Sequence, residues 1–243
     1  MFHQLDVKDH TSMASLAKFI KTNFGKLDIL VNNAADGGLV MDIEAFRAFK
    51  DGAGFMEVKD ENAHLLDGIM KQTYEGAEEC LRTNYYGTKG VTEALLPLLH
   101  LSNSARIVDV SSNYGLLMFI LNEELKAELE NVESLTEEKI DKIVQCYLRD
   151  FKENKLQANG WPLTVSAYKV SKAVTNAYTR LLARRFPNIL VNCVHPGYVK
   201  TDITGNMGHL TPEEGAKTPV MAALLPDGGP SGVFFSEMQL STF

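Results

Sequence analysis

Tyr168 and Lys172 stand four residues apart in Tyr168-Lys169-Val170-Ser171-Lys172. They open a stretch, 167–186, whose apolar residues recur at helical spacing. On a helix, positions i and i+4 lie on one face, so the phenol and the ammonium share a site. A free tyrosine titrates near pH 10, and a neighbouring cation favours its phenolate. Such a pair can pass a proton to or from an oxygen at neutral pH. Three further polar groups sit where ligands are met. Asn32-Asn33 follows one apolar run, Ser111-Ser112 follows another, and Asn84 lies in a long helical stretch.

These groups need elements to carry them. Residues 2–7 read as a short strand. A helix capped by Thr11 or Ser12 runs to Phe24, with Leu16, Phe19 and Ile20 inward and Gly25 as its stop. Residues 27–31 are a strand with both faces covered. Residues 35–61 read as irregular. A helical region over 75–99 is interrupted near Gly87 and Gly90, and residues 106–110 form the next buried strand. Ser134-Leu135-Thr136-Glu137 has the form of a capping box. Behind it, Ile140, Ile143, Val144, Tyr147, Leu148 and Phe151 make one apolar stripe, read as a helix packed on its own domain. After the Tyr168 helix, which Pro187 ends, come a strand over 189–194, a helix from the Thr211-Pro212 cap to about Leu225, and a last strand over 232–235. Alternating strands and helices predict an α/β fold, a doubly wound parallel sheet. In such sheets ligands lie at the carboxyl ends of the strands, where Asn33 and Ser112 fall and where the Tyr168 helix opens.

With 243 residues, one domain (1–243) is expected, carrying a helical insertion over 113–167. Net charge is −7 and no Lys/Arg run exceeds two, which argues against nucleic acid. No apolar run approaches a membrane span, and the first residues have no signal-peptide pattern, so a cytoplasmic protein is expected. Cys80, Cys146 and Cys193 are scattered and odd in number, as expected of buried, reduced thiols. No His/Cys spacing suggests a metal, and each of the six His is expected to be structural.

Taken in order along the chain, Asn32-Asn33-Ala34, Asn84, Ser111-Ser112 and Tyr168-x-x-x-Lys172 resemble the short-chain dehydrogenase/reductase superfamily. The resemblance covers essentially the whole chain. Phe2-His3-Gln4-Leu5-Asp6-Val7, Leu27-Asp28-Ile29-Leu30-Val31-Asn32-Asn33-Ala34, Gly160-Trp161-Pro162 and the long insertion are similar to the monomeric carbonyl reductases and their plant relatives, the salutaridine and menthone reductases. The resemblance implies NADPH-dependent reduction of a ketone or aldehyde, a terpenoid- or alkaloid-like or xenobiotic carbonyl, with the hydride coming from the cofactor. It implies Tyr168 as proton donor, Lys172 lowering its pKa and holding the cofactor ribose, and Ser112 donating to the substrate oxygen. Asn84 would hold a helix distortion and a water that feeds protons toward Lys172. Asp6 and Val7 match positions contacting adenine, Asn33 the cofactor groove, and Pro196, Gly197, Val199 and Thr201 the loop at the nicotinamide. The insertion implies a monomer. Tyr114, Leu116, Leu117, Met118, Trp161 and Tyr198 are candidates for an apolar substrate pocket or for ordinary core.

The same family opens with a strand, a Gly-rich turn and a helix that holds the pyrophosphate. No such turn is found in this chain. Gly52-Ala53-Gly54 lacks a third glycine and a preceding strand, and the Gly228-Gly229 run falls at the wrong end of the fold. Ala35 stands where the family usually has glycine. The chain therefore reads as N-terminally truncated, lacking the first βαβ unit, with NADPH binding weakened. Two consequences are expected of the sheet: residues 2–7 shift to pair with residues 27–31, or that strand becomes an apolar edge. The competing function is a catalytically impaired remnant without efficient cofactor binding.

Overall fold

The computed structural model describes residues 1–53 and 58–243. Its frame is a five-stranded sheet in the order β1-β4-β5-β6-β7, formed by β1 (Ile29–Asn32), β4 (Ala105–Val110), β5 (Ile189–His195), β6 (Phe234–Ser236) and β7 (Gln239–Ser241). The first four are parallel, with Val31 opposite Val108, Ile107 opposite Val191 and Val194 opposite Phe235. Helices α1 (His10–Phe24), α3 (Tyr74–Leu81), α4 (Thr88–Leu99), α6 (Glu137–Lys152) and α7 (Ser166–Arg185) build the larger core on one side of the sheet. On the other side α9 (Lys217–Ala223) covers Val108, Val194 and Phe235 with Ala222 and Ala223. A sheet clothed on both faces is the doubly wound α/β arrangement expected from the alternating elements.

Helix α7 is the centre of this frame. Sixteen of its residues, from Ser166 to Leu182, are buried. Tyr147 and Trp161 meet edge-on at 5.3 Å beneath α6, whose apolar stripe is indeed inward: Ile140, Ile143, Val144 and Tyr147 are buried. Helix α5 (Glu123–Glu130) is tied to α7 by Arg180, which donates to the Leu129 and Glu130 carbonyls.

Several local expectations are corrected. Residues 2–7 form no strand, because among the described residues no strand lies alongside to accept their backbone groups; Leu5 and Val7 instead pack on the core. Of the two alternatives for the sheet, the open edge is what is seen: β1 has a neighbour on one side only, and Ile29 and Val31 are 37% and 42% exposed. The cap of α1 is Asp9, whose carboxylate accepts from the Thr11 N–H, while Ser12 is occupied by the Asp6 N–H. Gly25 does end α1, at φ 78°. Within 35–61, expected to be irregular, lie β2 (Val40–Met41) and α2 (Ile43–Ala53); β2 pairs antiparallel with β3 (Met70–Lys71). Gly54 and residues 55–57, weighed as part of a phosphate loop, lie outside the described residues.

Helix α6 starts two residues later than the capping-box pattern implied, with Thr136 accepting from the Lys139 N–H. The Thr211 cap holds, with Glu214 reciprocating, but its helix breaks at Ala216 into α8 (Pro212–Gly215) and α9. Strand β7 was not expected. Its hairpin turns through Glu237 and Met238, both at positive φ (47° and 70°). That is the backbone of a tight hairpin turn, usually signalled by Asn-Gly, and these side chains hide it.

Candidate active site

The region 82–87 winds as a π-turn between α3 and α4, the helix distortion expected at Asn84. Asn84 is 1% exposed and fully engaged. Its Oδ1 accepts from the Asp36 N–H at 2.7 Å, and its Nδ2 donates to the Asp36 carbonyl at 2.9 Å and to Ser171 Oγ at 2.9 Å. Ser171 in turn donates to the Tyr168 carbonyl at 2.8 Å. Asn84 therefore reaches Tyr168 through Ser171, and its side chain pins the chain leaving β1 to the Tyr168 helix.

At the carboxyl end of β4, Ser111 and Ser112 part company. The Ser111 hydroxyl is buried and donates to Asn176 Oδ1 at 2.5 Å. Ser112 Oγ accepts from the Tyr114 N–H and lies against the Tyr168 phenol. Of the two serines, Ser112 is the one set beside Tyr168. The Tyr114 ring meets Tyr168 edge-on at 6.4 Å.

Lys172 is 3% exposed, and its ammonium donates to the Val110 carbonyl at 2.8 Å. It lies 5.4 Å from the centre of the Tyr168 ring. Burial pushes Lys172 down to about 8, against the pull of Cys80 and Asp109. Burial pushes the Tyr168 phenol up, and its contact with Ser112 only partly opposes this. The Lys172 ammonium is turned toward Val110, and burial of Tyr168 favours its neutral phenol, the form that can donate a proton.

Around this centre lies the turn after β5. Gly197 takes φ 90°, and a side chain there would run into Leu210. Val199 is buried and bridges Leu210, and Thr201 caps the short turn Asp202–Thr204. Tyr198 lies near Tyr114. Asn33 and Ala35 are exposed beyond the end of β1. Asp6 is exposed at the start of α1, and Val7 packs on Gly87 of the π-turn. Tyr168, Lys172, Ser112 and Asn84 are therefore one cluster, whereas Asp6, Val7 and Asn33 lie outside it. Of the pocket candidates, Trp161 and Leu117 are core, Leu116 is half-buried, Met118 is 69% exposed, Tyr114 stays beside Tyr168, and Tyr198 lies near Tyr114.

His195 differs from the satisfied histidine expected, in that its buried Nδ1 has no hydrogen-bond partner among the described residues. Ser171, Asn176, Asp36 and the buried Asp109 were missed. Asn176 had a signal, standing four residues after Lys172 on the same helix face. Asp109, which accepts from Asn32 at 2.8 Å and Thr179 at 2.7 Å, had none beyond sitting in an apolar run.

The nicotinamide end of a dinucleotide fits this cluster: a buried ammonium, a phenol and a glycine-opened turn lie together. For the pyrophosphate end these residues offer no Gly-rich turn, and among the described residues no strand pairs with the outer edge of β1. Among the described residues no group of His, Cys, Asp and Glu could hold a metal, and no helix is long and apolar enough to cross a membrane. The three cysteines are free.

Comparison with known proteins follows the same lines. A family model described as short chain dehydrogenase matches residues 1–124. Short-chain dehydrogenase/reductase 1 of Saponaria officinalis is 54% identical over 244 residues, covering 100% of this chain and 78% of the relative. Carbonyl reductase [NADPH] 1 of Homo sapiens is 34% identical over 248 residues, covering 98% of this chain and 78% of the relative. The solved structure of salutaridine reductase from Papaver somniferum superposes with a TM-score of 0.86 at 51% identity, over 97% of this chain and 81% of that one. Because fold, cluster and likeness agree along the whole chain, it belongs to the short chain dehydrogenase family and is an oxidoreductase.

Proposed function

We propose that the chain carries the reducing site of an NADPH-dependent carbonyl reductase acting on a ketone or aldehyde, with a terpenoid, alkaloid or xenobiotic skeleton. The observation that supports this best is the Tyr168 phenol set against Ser112 at the carboxyl end of β4. A nicotinamide cofactor, when bound, supplies the hydride. Ser112 can donate to the carbonyl oxygen, which gathers negative charge as it is reduced. Tyr168 holds the proton that this oxygen takes up to become an alcohol. Lys172 lies beside Tyr168 and would hold the ribose; Asn84 keeps the helix opening in place through Ser171. Asn33, Val199 and Thr201 would line the cofactor groove, with Asp6 and Val7 toward the adenine. The names salutaridine reductase and carbonyl reductase [NADPH] support the substrate class and the cofactor.

The reading extends to organisation. The chain is one domain, 1–243, with 113–167 as an insertion whose helix α6 covers α7 and α3, which supports a monomer. A cytoplasmic setting suits its free thiols. Light scattering on a size-exclusion column would give one chain per particle; a stable dimer would contradict this.

Fluorescence titration with NADPH, followed by turnover of an apolar ketone, tests the activity. Saturable binding and turnover lost in Tyr168→Phe support it. Turnover that survives Tyr168→Phe would overturn it.

A further inference from the structure

The helix that carries Tyr168 begins in an unusual way. Its N-cap, Val165, adopts φ 50° and ψ 40°, a left-handed conformation unfavourable for a β-branched residue. Val165 also has no side chain able to cap, so the first amide groups of α7 look elsewhere. They find partners on the excursion between β1 and α3. The Ser166 N–H donates to Gln72 Oε1 at 2.6 Å, and Gln72 Nε2 donates to the Leu163 carbonyl at 2.7 Å. Asp60 takes the other side of the turn. Its carboxylate accepts from the Leu163 N–H at 3.0 Å, the Thr164 N–H at 2.9 Å and the Thr164 hydroxyl at 2.7 Å. Two residues, distant in sequence, thus clamp both flanks of one strained residue.

The Asp60 arm extends further. Lys169, directly after Tyr168, is 5% exposed, donates to Thr164 Oγ1 at 2.7 Å and lies 3.6 Å from Asp60 Oδ1. Its ammonium stands over the Tyr114 and Phe119 rings at 5.7 and 5.0 Å. Tyr114 is the ring set edge-on to Tyr168. A continuous line of contacts therefore runs Asp60–Thr164–Lys169–Tyr114–Tyr168. A strained backbone survives only where its surroundings over-determine it, and here the surroundings are Asp60 and Gln72.

We propose that Asp60 and Gln72 are positioning residues for Tyr168, holding the Val165 turn and the Lys169–Tyr114 contact so that the phenol faces Ser112. This rests on Tyr168 being the proton donor, but its test does not need turnover.

The test uses the full chain with ring-13C-labelled tyrosine. The eight tyrosine signals are resolved by NMR and Tyr168 is assigned by its loss in Tyr168→Phe. In Asp60→Ala and in Gln72→Ala the Tyr168 and Tyr114 signals should move or broaden, while that of Tyr86, away from the clamp, stays put. Gln72→Glu gives a sharper reading. With the introduced carboxyl protonated it can still accept from Ser166 and donate to the Leu163 carbonyl, so the Tyr168 signal should match the parent in acid. Once ionised it faces that carbonyl as an anion, and the signal should depart with a single titration that the parent lacks. This variant preserves the acceptor and stands in if the alanine variants do not fold. Where turnover is measurable, kcat should fall about 10–100-fold in Gln72→Ala with KM little changed. A Tyr168 signal indifferent to all three substitutions and to pH in Gln72→Glu would overturn the proposal. A parent with an intact clamp and no turnover would instead count against the proton-donor reading alone.

Discussion

The Lys172 ammonium is bonded to the Val110 carbonyl at 2.8 Å, not to the Tyr168 hydroxyl. The cation is anchored to the end of β4, one residue before the Ser111-Ser112 pair. Anchoring it there places the charge 5.4 Å from the centre of the Tyr168 ring.

That burial has a thermodynamic signature. Lys172 falls from 10.5 to about 8 on folding. Below pH 8 both folded and unfolded chains carry the proton, so the full penalty of the buried charge, about 3 kcal/mol, applies. Between pH 8 and 10.5 the folded chain releases its proton first and the penalty fades. Lys172→Met should therefore stabilise the fold at pH 7 by about 1–2 kcal/mol after loss of the Val110 hydrogen bond, with the gain shrinking as pH rises through that window. Urea unfolding across pH 7–10 checks it; a variant less stable than the parent at pH 7 would contradict it.

Tyr168→Phe should lower reductive kcat by about 10²–10⁴-fold, and Ser112→Ala by about 10²–10³-fold, with melting temperatures close to the parent's. Since burial holds the phenol protonated, the rate should not change through a tyrosine titration between pH 6 and 8. A rate that rises tenfold per pH unit over that range would mean a phenolate is required.

Asp150 anchors the insertion. Burial works against its ionisation, yet hydrogen bonds from Trp161 at 2.9 Å, Asn159 at 2.7 Å and Arg149 at 3.1 Å hold its pKa below the usual value. A depressed carboxylate stabilises above its unfolded pKa, and that stabilisation drains away as pH falls below about 4. Asp150→Ala should cost about 1–3 kcal/mol at pH 7, because the buried indole N–H loses its partner. The difference from the parent should narrow in acid. Denaturant midpoints at pH 7 and 3 would decide the matter.

On the outer edge of β1, Ile29 and Val31 present apolar side chains beside unpaired backbone groups. Such an edge is a template for pairing with another chain. Val31→Lys should raise the concentration at which the protein begins to scatter light and leave the melting temperature nearly unchanged. Equal scattering in both proteins would show that the edge plays no part in self-association.

The sequence announced the sheet and the cluster well, for a physical reason. Strands β4 and β5 are apolar runs covered on both faces, and Tyr168 and Lys172 repeat with the helix period. Where it misled, distant partners decided. Residues 2–7 read as a short strand, but a strand needs a neighbour, and none of the described strands lies alongside. The turn at Glu237-Met238 takes a conformation its residue types disfavour. Nothing local to Val165 foretells a left-handed cap, since the bonds that hold it come from Asp60 and Gln72. Nor does the Tyr-Lys spacing reveal that the Lys172 ammonium bonds the Val110 carbonyl, because that partner belongs to the packed fold.

The burial of α7 from Ser166 to Leu182 divides the molecule into parts with unequal freedom to change. Almost any side chain exchanged on that helix disturbs something packed against it, so the machinery for moving a proton is tied to the integrity of the fold. The surface at Met118, which is 69% exposed, carries fewer such obligations. Recognition can drift there while the reaction stays the same, and one scaffold can be retuned from one carbonyl to another by edits confined to its rim.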